Sequence, residues 1–176
     1  MYLWGVNAGK MIEGDQRMFA FETYQGAINC FAQLNYVGQN NCIFYATNAV
    51  PTSALMFGAV GGAVYGARTA ANNRNWAGYL LNVNEMGFGI LPLESTKGLG
   101  IKPENLAPRF DQFFYIPYQQ LASVTVKKYT IGSSIKRLII EIANAPKFDL
   151  LVQVKENKMP YHQGCFKAFC DFYQRK

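Results

Sequence analysis

Charge is scarce in this chain and histidine scarcer, and each shortage removes a class of chemistry. Only 16% of the 176 residues are charged, and His162 is the sole histidine. One imidazole cannot supply the repeated nitrogen ligands of a zinc set, and Cys30, Cys42, Cys165 and Cys170 fall into no paired C-x-x-C spacing. No metal and no cofactor are expected. The chain also lacks a G-x-S-x-G elbow, a G-x-x-x-x-G-K-[ST] phosphate loop and a dinucleotide fingerprint on a strand-to-helix turn. The glycines between Gly58 and Gly66 come without the Lys-Ser/Thr pair that holds phosphate and magnesium. His162 near Cys165 comes closest to a base beside a nucleophile, but no third group orients it, so no catalytic residue is assigned and a non-enzymatic protein is expected. The stretch Met1 to Lys10 lacks a basic segment followed by a long apolar one. A cytoplasmic setting follows as the expectation, with reduced cysteines acting as small hydrophobes and with peripheral membrane association as an option.

What is present is apolar and aromatic. Half of the residues are hydrophobic, with 13 Phe and 11 Tyr, which argues against disorder and fits a β-rich body. A single domain over 1–176 is expected, since no linker interrupts the chain. The net charge of +6 is unevenly placed: residues 1–96 carry four basic and five acidic side chains, and 97–176 carry thirteen and six. A basic half can meet an anionic lipid surface or an acidic protein partner, and it serves solubility equally well.

Phe113 to Lys155 organises the remainder. Val124/Val126, Leu138/Ile140/Ile142 and Phe148/Leu150/Val152/Val154 recur at a spacing of two, so each set lines one face of a strand. Short connections at Thr130–Ile135 and Asn144–Lys147 make these strands an antiparallel meander, which Phe113–Pro117 enters. Upstream, Tyr79/Leu81/Val83 and Phe88/Ile90 form a hairpin turning at Asn84–Gly87. Ile28, Cys30, Ala32, Leu34 and Tyr36 alternate as in a half-buried strand, with Cys42–Thr47 as its partner. Ala27, Cys30, Phe31 and Leu34 also suit a helix face, and the strand is favoured because Gly38–Asn41 makes a good turn. Residues 95–111 read as a long excursion with a helical turn at Glu104–Leu106. Phe166, Phe169, Cys170 and Tyr173 recur at i, i+3, i+4 and i+7, which predicts an amphipathic carboxy-terminal helix that covers the sheet.

Two surfaces stand out as binding candidates. No charged residue lies between Thr23 and Ala67, and within 53–72 Gly58, Gly62 and Gly66 repeat at four alongside Ala59, Ala63 and Ala67. As a helix this segment has two smooth ridges, suited to close packing against another backbone for self-association or insertion. A homo-oligomer is therefore expected. Soluble packing, shallow membrane insertion and an apolar loop all remain open for it, although its uncharged length falls short of a membrane span. The second surface is the hairpin with Lys127, Lys128 and Tyr129 on one strand and Lys136 and Arg137 on the other, where four cations can converge on an anionic surface. A solvated hairpin whose lysines blunt a sheet edge is the plainer alternative. No stacking platform for bases accompanies these charges, so nucleic acid is not expected as a partner.

The order YLLNVNEMGFGILPLE, YIPYQQLASVTVKK, IKRLIIEIAN, FDLLVQVK and a closing aromatic helix resembles bacterial members of the PH-like superfold, including GRAM-type domains. The resemblance covers about 78–175. It implies a strongly bent β-barrel or sandwich of about seven strands capped by the terminal helix, mainly β in class. The Gly/Ala-rich insertion at 53–72 and the excursion at 95–111 depart from that pattern. Eukaryotic lipid-binding members carry a basic cluster in an early hairpin. It finds no residue-by-residue match here, so specific phosphoinositide recognition is not implied.

Overall fold

In a computed structural model of the chain, residues 20–49, 76–96 and 102–174 are described. The candidate segment holding Gly58, Ala59, Gly62, Ala63, Gly66 and Ala67 lies outside them. The described chain is mainly β, with helices α1 (Tyr24–Gln33) and α2 (Pro160–Gln174). The strands are β1 (Cys42–Asn48), β2 (Trp76–Asn84), β3 (Gly87–Ser95), β4 (Leu106–Pro108), β5 (Phe114–Pro117), β6 (Leu121–Lys128), β7 (Ile135–Ile142) and β8 (Phe148–Gln153). They form one antiparallel sheet in the order β4-β3-β2-β1-β8-β7-β6, with β5 also paired to β3, and the sheet does not close.

The sheet works as two halves. β1 pairs along Cys42–Ala46 with β2, but meets β8 only through Thr47 and Asn48, opposite Leu151 and Leu150. Between the halves lies one core. The alternating rows read from the sequence supply Leu138, Ile140, Leu150 and Val152 from one side, and Phe44, Leu81, Phe88 and Ile90 come from the other. α2 fills the opening with Phe166 and Phe169, whose rings lie 5.2 and 5.0 Å from Phe44. The stripe predicted on this helix is the buried one, and Pro160 begins it where a missing N–H costs nothing. The β1–β3 half is buried on both faces. Its far side carries Ile43, Leu80, Leu91 and Leu93 against Phe31 and Cys30 of α1.

α1 corrects the sequence expectation at 28–36, where a strand had been favoured. Thr23 caps its start, accepting from the Gly26 N–H at 3.0 Å. Its end is closed by Asn35 at φ +53°, with Tyr36 N bonded to Phe31 O at 2.8 Å and Asn35 N to Ala32 O at 3.0 Å. These paired bonds around a left-handed residue stop a helix and redirect the chain, and the Phe31 and Tyr36 rings pack across them at 6.2 Å. Alternation of apolar residues was the weaker signal, because Ala27, Cys30 and Phe31 on one helical face are the fully buried set. β1 accordingly pairs with β2 and β8, not with 28–36.

Two smaller corrections concern 103–117. The 3₁₀ turn covers Pro103–Asn105, and Leu106–Pro108 then forms an edge strand on β3. β5 belongs to the β3 edge rather than to the meander, with Phe88 opposite Ile116. The Tyr79–Ile90 hairpin is as expected, turning at Glu85-Met86 with Gly87 at φ +142°. Gly89 is glycine for a different reason, since the Tyr36 ring lies where its Cβ would be.

Candidate functional site

The β6–β7 hairpin brings the predicted cations together in pairs and separates the pairs from each other. Lys127 lies opposite Arg137, and Lys128 opposite Lys136. Successive residues of a strand face opposite sides, so the two pairs project from opposite faces of the hairpin. Lys128 and Lys136 continue the row of Val126 and Leu138 on the α2 side, where Lys136 acts electrostatically on Cys170. Lys127 and Arg137 stand on the outer face. There Arg137 is already engaged: its Nε and Nη2 reach the two carboxylate oxygens of Asp149 at 2.7 and 2.5 Å. That two-pronged contact, helped by the charges of Lys147 and Lys127, holds the Asp149 carboxyl below its ordinary range and raises Arg137. Lys127, Lys128 and Lys136 form no ion pair among the described residues.

The turn beyond them is tight. Ser133 N bonds Thr130 O at 3.2 Å, Ile135 N bonds the Ser133 hydroxyl at 2.9 Å, and Gly132 takes φ +77°. Ile131 is pushed to the tip with its side chain fully exposed, at 104% relative accessibility, while Tyr129 is half-buried beside Arg137. An isolated apolar side chain at a basic tip is the arrangement a membrane interface accommodates, with the alkyl group below the headgroups and the ammonium groups among them.

The end of β1 lies at the opposite end of the sheet from this hairpin tip. β1 runs antiparallel to β8, and Ala49 N bonds Asp149 O at 2.9 Å. Ala49 therefore lies near the β7–β8 turn, away from the β6–β7 tip.

A neighbouring feature went unread in the sequence. β6 is the last strand of its half-sheet, and between it and the end of α2 opens a cavity of about 510 Å³ lined by Tyr118, Leu121, Ser123, Val124, Phe172 and Tyr173. Phe172 falls off the buried stripe of α2 and is 54% exposed. Its place beside Tyr173, out of phase with Phe166 and Phe169, was the available signal.

His162, the nearest thing to a catalytic base, is fully buried with both ring nitrogens bonded to main chain. Nδ1 accepts from Tyr45 N–H at 3.0 Å, so Nε2 carries the proton and donates to Gln153 O at 2.6 Å. Burial lowers its pKa below 6.5. Among the described residues no group of three or more His, Cys, Asp or Glu could hold a metal ion, and no helix is long and apolar enough to cross a membrane. No family model, curated protein or solved structure matches the chain.

Proposed function

We propose that the chain is a non-catalytic binding module of the PH-like kind, docking on an anionic membrane surface through the β6–β7 hairpin. The observation that carries this is the fully exposed Ile131 at a tip backed, on its two faces, by three lysines that form no ion pair among the described residues. Lysines near an anionic surface contribute about 1 kcal/mol each, and a buried isoleucine adds about 1.5–3 kcal/mol. Binding of that strength is reversible and weakens in salt. Arg137 contributes little, because Asp149 already neutralises it.

Flotation of the full-length chain with phosphatidylserine-containing and with neutral vesicles, at low and physiological salt, tests this. Binding to anionic vesicles alone, weakened by salt, is expected. Replacing Lys127, Lys128 and Lys136 together with Gln lowers it ~100-fold, and Ile131→Asp lowers it by about 10- to 100-fold. Unchanged flotation of both variants sinks the proposal.

The cavity beside β6 supports a second reading, a protein partner that adds an extended segment to the β6 edge and seats an apolar side chain against Leu121, Val124 and Phe172. Self-association through Gly58, Ala59, Gly62, Ala63, Gly66 and Ala67 belongs to either reading. Gly62→Leu should then lower the mass measured by light scattering, and an unchanged mass removes that contact.

A further inference from the structure

We propose that Cys42 and Cys165 form an oxidisable dithiol, a modification site at which a hydroperoxide links α2 covalently to β1. The two residues are 123 apart in sequence, yet the Cys42 thiol donates to the Cys165 carbonyl oxygen at 2.7 Å. The two thiols also act on each other electrostatically, and the main-chain N–H groups of Ile43 and Phe169 favour the thiolate at Cys165 and Cys42 respectively. Neither thiol is fully buried, in contrast to Cys30. Neighbouring main-chain N–H groups and a partner thiol favour the thiolate form of a cysteine.

The titration of the pair follows the same geometry. The Cys42 thiol, with the Ile43 amide, holds Cys165 at about 7 despite burial, and the Cys165 sulfur together with burial pushes Cys42 upward. Tyr24, Cys170 and Phe169 complete the surroundings; Lys136 acts on Cys170. Because the Cys42 S–H is committed to the Cys165 carbonyl oxygen, Cys42 stays protonated, which makes Cys165 the nucleophile and Cys42 the resolving thiol. The Cys165 thiolate attacks one peroxide oxygen, the O–O bond breaks, and hydroxide leaves with a proton as water, giving a sulfenic acid. The Cys42 sulfur then attacks the Cys165 sulfur, the S–O bond breaks, and the Cys42 proton departs with the hydroxyl as a second water. Two thiols are oxidised by two electrons and one peroxide is reduced.

The test is treatment of the folded full-length chain with one equivalent of hydrogen peroxide, followed by denaturation, thiol counting and peptide mapping. Two of the four thiols should disappear, with Cys42 and Cys165 in one linked peptide released by reductant. Cys42→Ser should instead leave a Cys165 sulfenic acid that dimedone traps. Before any oxidation, Cys165 should alkylate about tenfold faster than Cys170 at pH 7. That rate is read on the wild-type fold and does not depend on a variant folding. Four intact thiols, a Cys42–Cys170 link, or alkylation of Cys165 no faster than Cys170 overturns the proposal.

Discussion

Replacing His162 with Phe should cost about 2–4 kcal/mol and should also remove the chain's sensitivity to mild acid. β1 pairs with β8 only from Thr47 onward, so the Tyr45 N–H on that edge has no strand to bond. His162 takes the place of the missing strand, as acceptor for Tyr45 and donor to Gln153. Phenylalanine keeps the ring among Phe44 and Phe166 but leaves the Tyr45 N–H orphaned in a residue only 5% exposed. An unsatisfied buried donor costs about 1–3 kcal/mol, and the lost bond to Gln153, whose side of the site meets solvent, about 1 kcal/mol more. The pH effect has a definite sign. Burial lowers the folded pKa below 6.5, with the Gln153 bond and Glu156 opposing, so the unfolded chain takes up the proton first. This stability is complete above about pH 6.5 and is lost as pH falls towards the folded pKa, at up to ~1.4 kcal/mol per unit. Between pH 7 and pH 5 the wild type should lose up to about 2 kcal/mol. Asp149, Asp111 and Glu85 have lowered pKa values and act at lower pH, outside this window. Urea unfolding of both proteins from pH 5 to 8 measures the difference. Equal slopes for wild type and His162→Phe would refute the argument.

Gly89→Ala should destabilise by about 1–3 kcal/mol in the same assay, because a methyl there meets the buried Tyr36 ring; a neutral change would mean that the ring can move aside. Asp149→Asn should do two opposite things. Losing a surface pair lowers stability by about 0.5–1 kcal/mol, while the released Arg137 raises affinity for phosphatidylserine vesicles about fivefold; weaker vesicle binding would contradict the placement of the cations. Asn35→Ala should cost about 1 kcal/mol by forcing a β-carbon residue into the left-handed conformation at the end of α1, and Asn35→Gly should not.

The meander was legible because each of its strands buries one face and exposes the other, so the period of two in 124–154 survives in the sequence. α2 was legible for the matching reason, a single buried stripe. α1 was misread because its start and stop lie in Thr23 and Asn35, while its short apolar face fits either period. β4 escaped, and β5 was located but given the wrong partner, because a three- or four-residue edge strand carries too few residues to show alternation or to fix its pairing. The hairpin cations were located by sequence, but their division between two faces follows from register, and the Arg137–Asp149 pair spans β7 to β8. The dithiol required the packing of α2 on β1, which no spacing of Cys42 and Cys165 records.

Backbone hydrogen exchange of the full-length chain, with and without phosphatidylserine vesicles, tests the docking surface most directly. Slowed exchange confined to 127–137, and absent with neutral vesicles, is the expected result. Slowed exchange at α1, or along β6 near Leu121 with the hairpin unchanged, would contradict it.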